Sequence, residues 1–180
     1  MDLIRPPEIP ENCTFIEMDI FDWAKTSELV DFSADFICAS SPCEQFSVHG
    51  MKHFHPNPPY PELGIKLFNH ARAICEESGA PYVMENVRAA QQFVGQAVHH
   101  CGPFYLWGNG VPPLLAQGIL KGRRLMTGGY KGQTPAKSDK GAAAIVATIP
   151  PELANCVADY AERICGTEKT QTTELIAVQP

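Results

Sequence analysis

No apolar run in the sequence approaches the roughly 18 residues that a membrane-spanning helix needs. Positive charge is also short: 14 lysines and arginines face 20 aspartates and glutamates, for a net charge of −6. That balance excludes a protein coated in basic surface. Internal repeats and sustained heptads are missing, which excludes solenoids and long coiled coils. Met1-Asp2-Leu3-Ile4-Arg5-Pro6-Pro7 lacks the apolar core of a signal peptide. Cysteine, by contrast, is plentiful but odd in number, at seven. Most of these residues sit in apolar runs (Cys38, Cys75, Cys156, Cys165), so buried free thiols in a reducing cytosol are expected rather than disulfides.

What is present describes an ordinary globular chain. The 180 residues are 44% hydrophobic and 19% charged, enough for one domain with a real core. The charge is unevenly placed. Residues 121–140 hold Lys121, Arg123, Arg124, Lys131, Lys137 and Lys140 against Asp139 alone, so they carry +5 while the rest of the chain carries −11. Such a segment either meets phosphates or is a solvated lysine-rich loop.

Along the chain, residues 5–12 read as a Pro-rich loop. Cys13 to Ile20 alternates through Phe15, Met18 and Ile20, the pattern of a strand reaching Asp19. Phe21-Asp22-Trp23 then begins a short helical or turn piece with Asp22 placed as its N-cap. The run Phe36-Ile37-Cys38-Ala39 predicts a short buried strand, Asp35 to Ala39, that ends at Ser40-Ser41-Pro42-Cys43. Val48 to Pro61 is a loop carrying His49, His53 and His55 among Pro56, Pro58, Pro59 and Pro61, suited to covering a ligand. Glu62 to Ser78 has apolar residues at helical spacing (Leu63, Leu67, Ala71, Ile74, Cys75) and stops at Gly79. Pro81 to Met84 is the next strand, followed by Glu85-Asn86-Val87. Strand, loop, helix, strand is the right-handed crossover of a parallel sheet, so the fold class is α/β. Ala89 to Phe93 predicts one or two helical turns, Gly102 to Trp107 a strand, and Gly108-Asn109-Gly110 a turn. The glycine-rich stretch 108–141 reads as irregular. Pro150-Pro151 opens a last helix, Glu152 to Ile164, with Leu153, Val157, Tyr160, Ala161 and Ile164 on its apolar positions. The polar tail 167–180 is expected to be disordered, leaving 1–166 as the domain.

In open α/β sheets, ligands and chemistry collect at the C-terminal ends of the strands. Cys43 stands at one such end, as a nucleophile on a tight turn or as one more buried thiol. Glu85 stands at another, as a helix-capping residue or as an acid held at a strand edge.

Together these stretches resemble the DNA (cytosine-5-)methyltransferase family, and its small phage-type members in particular. Pro42-Cys43-Glu44-Gln45-Phe46-Ser47 resembles the family's Pro-Cys-Gln-x-Phe-Ser nucleophile loop, with Glu44 in place of the usual Gln. Glu85-Asn86-Val87 is similar to its Glu-Asn-Val motif, and Met18-Asp19-Ile20 to its Asp-Ile motif. The likeness covers about residues 1 to 164. It implies a partial S-adenosylmethionine-dependent methyltransferase (Rossmann-like) sheet, mostly parallel. It also implies S-adenosyl-L-methionine as cofactor, double-stranded DNA as partner, and a cytoplasmic location in a bacterium or phage-infected host. By the same resemblance, Cys43, Glu85 and Asn86 are the catalytic set, with Asn86 bracing Pro42 and its loop. Asp2, Asp19, Ile20 and Pro42 are the cofactor set. Ser41, Gln45, Ser47, Arg88, Arg123 and Arg124 are the substrate set, and the loop 48–61 closes over the base.

Three departures accompany the resemblance. The family's first strand and Gly-rich cofactor loop have no counterpart, so the first strand of the sheet is expected to be missing. That strand would lie beside the one carrying Cys43, and a second chain or an upstream segment is the expected source. The Gln-x-Arg-x-Arg segment is replaced by Gly108-Asn109-Gly110-Val111-Pro112-Pro113, without arginine. The final motif has two candidates, Gly108 to Ala116 and Thr148 to Ala154, and the helix after the second favours it. The alternative to an enzyme is a non-catalytic remnant that binds DNA or a methyltransferase. A metal site from His53, His55, His99, His100 and Cys101 is a further rival, although its spacing lacks the regular pairing of zinc ligands.

Overall fold

The structure, a computed structural model, describes residues 9, 11–16, 19–22, 33–47, 61–113 and 149–166. Met18, the loop 48–60, the basic segment 121–140 and the tail 167–180 lie outside the described residues.

Strand β1 (Ile37–Ser40) leads into the one-turn helix α1 (Glu44–Ser47), and helix α2 (Glu62–Ser78) leads into strand β2 (Tyr82–Val87). The bounds of α2 are those the sequence predicts. Gly79 stops it with φ at 72°, the left-handed conformation in which a side chain is costly, and its N–H reaches Glu76 O at 3.3 Å. Its buried stripe is Gly64, Leu67, Phe68, Ala71 and Cys75. Leu63, expected inside, is 48% exposed. The stripe runs through Gly64 instead, where an added Cβ would lie 3.3 Å from the Phe46 ring. The small residue is what lets α2 approach α1.

β1 and β2 pair in parallel, with Ile37 opposite Tyr82 and Ser40 opposite Glu85. The expected crossover therefore joins adjacent strands. Beyond β2 the sheet departs from expectation. A 3-10 turn (Arg88–Ala90) and the short helix α3 (Gln91–Val94) precede β3 (His99–Cys101) and β4 (Phe104–Trp107). The order is β1-β2-β4-β3, and both β2–β4 and β4–β3 are antiparallel. The described sheet is thus mixed rather than mostly parallel. A parallel return needs a crossover of about a dozen residues or more, and the Gly102-Pro103 link between β3 and β4 permits only a hairpin. β3 itself escaped the sequence reading because His99-His100-Cys101 has no apolar alternation. The turn after β4 is as expected. Asn109 Oδ1 accepts from Tyr82 N–H at 2.9 Å, and Gly110 N–H donates to Tyr82 O at 2.9 Å. Gly108, with φ at 113°, lies so close to Tyr82 O that no Cβ fits.

Alternation along the strands gives the sheet two covered faces. On one, Met84 and Trp107 pack with Leu67, Phe68, Ala71 and Cys75 of α2, with Phe46, and with Ala90, Val94 and Ile20. Phe68 meets Trp107 edge-on at 5.1 Å, and the indole N–H donates to Gly95 O at 2.9 Å. On the other, Val83, Phe104, Leu106 and Val111 pack under Leu153 and Val157 of helix α4 (Pro151–Cys165). The predicted final helix is present, with Pro151 in its first turn and Gly166 at its end. Ile164, expected on the apolar side, is exposed because it lies past the sheet-facing turns. No described helix is long and apolar enough to cross a membrane.

The N-terminal strand reading is corrected. Residues 13–16 form neither helix nor strand, and Ile20–Asp22 is a 3-10 turn. Asp19, not Asp22, caps it: Asp19 Oδ1 accepts from Phe21 N–H at 2.9 Å, and Asp19 O accepts from Asp22 N–H at 2.9 Å. An aspartate that satisfies the two following amides competes with extension. The cysteine reading is corrected in part. All seven are free, but only Cys75 and Cys101 are buried, and Cys38 is exposed.

Candidate active site

The end of β1 is turned by Ser41-Pro42, after which proline's missing N–H prevents further ladder pairing. Cys43 follows, half-buried, immediately before α1. Two contacts tie this turn. Ser47 N–H and Ser47 Oγ–H both donate to Cys43 O at 3.0 Å. Phe46 anchors the turn from beneath: it is fully buried, and its ring stacks with Phe93 at 6.1 Å. Gln45 reaches away from the turn, its Oε1 accepting from Gly64 N–H at 2.7 Å in the first turn of α2. That amide has no partner within its own helix, so Gln45 caps α2 from a distance.

Glu85 and Asn86 are placed by β2. The sequence reading set them after the strand; they lie inside it, paired with Leu106 and Tyr105 of β4. Neighbouring residues on a strand point to opposite faces. Glu85 shares the face of Val83, and Ser40 Oγ–H donates to its Oε2 at 2.8 Å. Asn86 shares the face of Met84 and is fully buried. Its Nδ2 donates to Ser41 O at 3.0 Å and Ser41 Oγ at 3.1 Å, and its Oδ1 accepts from Val87 N–H at 2.9 Å. Asn86 therefore ties β2 to the residue before Pro42. No buried polar side-chain atom lacks a partner among the described residues.

The electrostatics join Cys43 to Glu85. Burial pushes the Cys43 thiol up from its ordinary value, and the negative charge of Glu85 pushes it further. The Ser47 hydroxyl pulls the other way, and Glu44 adds a smaller upward push. Burial also raises the Glu85 carboxyl, and the Ser40 hydroxyl opposes that by stabilising the charged form. The Glu85 charge thus bears on the Cys43 thiol. Each also holds its proton more firmly than it would in water.

A model of the C-5 cytosine-specific DNA methylase family matches residues 10–99, which takes in Cys43, Glu85 and Asn86. The chain belongs to the C-5 cytosine-specific DNA methylase family. Methylation of cytosine in DNA is the chemistry of the matched domain. No curated protein and no solved structure matches the chain.

The other residues that the sequence singled out are placed differently around Cys43 and Glu85. Ser41 and Ser47 belong to the Cys43 turn, Ser41 through Asn86 and Ser47 through the Cys43 carbonyl. Pro42 is half-buried in the turn itself. Asp19 is exposed. Ile20 puts its side chain in the core, and its carbonyl meets His70 Nε2 at 3.0 Å, docking the turn on α2. Arg88 is exposed just after β2. Asp2, Arg123 and Arg124 lie outside the described residues. So do His53 and His55 of the metal rival. His99 Nδ1 accepts from His100 N–H at 2.9 Å, His100 stacks on Tyr105 at 4.9 Å, and no group of three metal-ligating side chains gathers among the described residues. One residue of the centre was missed. Ser40 bonds to a carboxylate 45 positions away, and only the strand register could have revealed it.

Proposed function

We propose that this methylase transfers a methyl group from S-adenosyl-L-methionine to carbon 5 of a cytosine flipped out of double-stranded DNA, through a covalent adduct on Cys43. The observation that carries the reading is that Cys43 follows the end of β1 while Glu85 stands opposite Ser40 on the adjacent parallel strand, where its charge acts on the thiol. Carbon 6 of cytosine is out of reach inside a duplex, so the base must leave the stack. The Cys43 thiolate bonds to carbon 6, and the ring becomes an enamine that is nucleophilic at carbon 5. Glu85 grips ring nitrogen 3 and the exocyclic amine, where charge develops as sulfur adds. A proton held on Glu85 removes the negative charge that opposes the thiolate, so protonation of the carboxyl and loss of the thiol proton favour one another. Once carbon 5 carries its methyl group, a water molecule takes the carbon 5 proton, the C–H electrons form the carbon 5–carbon 6 double bond, and Cys43 leaves as thiolate, which restores aromaticity. Asn86 and Phe46 hold the turn through these steps without touching the base.

The described residues fit the cofactor at one end. Asp19 commits one carboxylate oxygen to Phe21 N–H, and the other, without a partner among the described residues, is the candidate for a ribose or adenine donor. Ile20 fixes that turn to the core, Pro42 lines the strand end, and Asp2 is the further candidate. Bound there, S-adenosyl-L-methionine supplies an electrophilic methyl group. The exposed Arg88 and the basic pair Arg123-Arg124 are the candidates for DNA phosphates. The same reading expects the protein in the cytoplasm of a bacterium or phage-infected host.

The test is methyl transfer from labelled cofactor to a cytosine-containing duplex. Cys43→Ser is expected to lower the rate at least about a thousandfold, as loss of a covalent nucleophile does. A duplex carrying 5-fluorocytosine should trap a covalent adduct on Cys43 in the wild-type chain. Transfer that survives Cys43→Ser would overturn the reading.

One observation favours a second reading, a non-catalytic binding protein. Ile37 N–H donates to Pro81 O at 3.0 Å, so in a parallel ladder the backbone groups of Cys38 and Ser40 point away from β2. Among the described residues no strand pairs with that edge. A strand from elsewhere, including the expected second chain, would find its hydrogen-bonding groups ready. Absence of both methyl transfer and the trapped adduct, with duplex binding retained, selects this reading.

A further inference from the structure

The proposed chemistry asks Glu85 to meet a pyrimidine with a defined oxygen, yet a carboxylate has two that are equivalent in water. Ser40 removes that equivalence. Its Oγ–H donates to Glu85 Oε2 at 2.8 Å, and the two residues are direct partners across β1 and β2, so backbone pairing fixes the distance between their Cα atoms. This hydrogen bond is the one that the Glu85 carboxylate makes among the described residues. Among the described residues no other donor bonds to the Glu85 carboxylate. On β1, Cys38 lies on the same face two positions earlier. Cys43 approaches from the turn, and Glu44 on α1 is exposed. The β4 partner is Leu106, and His99 lies beyond it in the same cross-strand row. α4 brings Leu153 and Val157 to this face, and the exposed Arg88 follows β2.

We propose that Ser40 is the positioning residue of Glu85: its hydroxyl occupies Oε2, so that Oε1 is the oxygen presented to the base and the one that carries the proton when the carboxyl is neutral. This rests on the methyl-transfer reading of the same site and adds a residue that reading does not need. A serine hydroxyl donates one proton, and a carboxylate oxygen already accepting it is the poorer site for another. A neutral Glu85 then offers an O–H donor at Oε1, suited to a ring nitrogen acceptor, and a charged Glu85 offers an acceptor there, suited to an exocyclic amine. The same bond favours the charged form against burial, as the upward push on the carboxyl and the opposing Ser40 contribution describe. Removing the hydroxyl should therefore leave a carboxyl that is harder to ionise and free to rotate.

The experiment reads Glu85 directly and does not depend on activity. The full chain is labelled with carboxyl-13C glutamate, and the Glu85 resonance is assigned by its loss in Glu85→Gln. It is then titrated in wild type, Ser40→Ala and Ser40→Thr. Ser40 is exposed, so truncating it removes little packing. Ser40→Ala is expected to lower the acid constant of Glu85 roughly three- to tenfold, the net worth of one ordinary hydrogen bond at an exposed residue. Ser40→Thr keeps the hydroxyl and should titrate with wild type. In methyl-transfer assays the pH profile of kcat should move the same way in Ser40→Ala and return in Ser40→Thr, with the KM for S-adenosyl-L-methionine unmoved. A Glu85 that titrates alike in wild type and Ser40→Ala overturns the proposal whatever the activity. A shifted Glu85 in a chain that transfers no methyl group upholds the positioning role and removes the methyl-transfer reading instead.

Discussion

Where β1 and β2 end, the two faces of the sheet carry nearly the same residues arranged for opposite purposes. On one face Ser40 meets Glu85, and on the other Ser41 meets Asn86. Ser40 is exposed and Glu85 is only partly covered, with a carboxyl raised by burial and steadied by one hydroxyl. Asn86 is fully buried, and its amide makes three hydrogen bonds with no polar atom left over. A buried amide with every group matched holds a backbone in place. A carboxyl held against its own solvation is the kind of group that the proposed chemistry uses. On the proposed reading, two adjacent residues of one motif divide support from chemistry, and alternation along the strand puts them on opposite faces.

The comparison breaks first at Asn86. Asn86→Ala strips partners from Ser41 O and Val87 N–H and leaves a small cavity, so the fold should lose about 2–4 kcal/mol. Urea unfolding followed by circular dichroism measures it. A loss under about 0.5 kcal/mol, the range of an ordinary surface change, would show that the buried face is not the supporting one.

How much of this was legible in the letters depends on how far each contact reaches along the chain. The Cys43 turn and α2 were readable because proline, glycine and apolar spacing act locally. Phe46 and Ser47 stood in the recognisable motif, and their buried ring and returning hydroxyl give it a physical reason. Ser40 was silent, because a serine at a strand end acquires meaning only from what the next strand places opposite it. The strand expected at Cys13 to Ile20 failed for a related reason. Alternation of Phe15, Met18 and Ile20 looks the same whether or not a ladder exists, while Asp19 closes a turn with the amides beside it. The hairpin of β3 and β4 was half seen, since one of its strands is written in histidine and cysteine.

A smaller effect sharpens the contrast through pH. The Glu85 carboxyl is raised in the folded chain, so the folded state holds a proton in a window where the unfolded state has released it. Stability therefore falls as pH rises from the ordinary carboxylate value through the folded one, then levels. Glu85→Gln removes that slope and should make the protein more stable at neutral pH, the advantage vanishing as pH drops below about 4.5. Gln can still accept from Ser40, so the comparison isolates charge. The same variant should let the Cys43 thiol ionise at lower pH than in wild type, because the charge pushing it up is gone while burial remains. Alkylation of the Cys43 peptide against pH, read by mass spectrometry, follows it. An unchanged Cys43 profile would separate the two groups and dissolve the shared site.

The mildest test asks whether support on the buried side extends beyond Asn86. Gln45 sits one residue before Phe46 and lends its Oε1 to the N–H of Gly64, which has no other partner among the described residues. It ties the Cys43 turn to α2 as Asn86 ties it to β2. One neutral hydrogen bond at a half-covered helix start is worth about 1 kcal/mol, so Gln45→Ala should lower stability by that much and leave the Glu85 titration in place. Gln45→Glu keeps an oxygen acceptor at the helix start, where negative charge is favoured, and should recover most of the loss. Recovery would assign Gln45 to the scaffold that holds the nucleophile. If Gln45→Ala keeps full stability while duplex affinity falls, the side chain belongs instead to the substrate set that the sequence resemblance gave it.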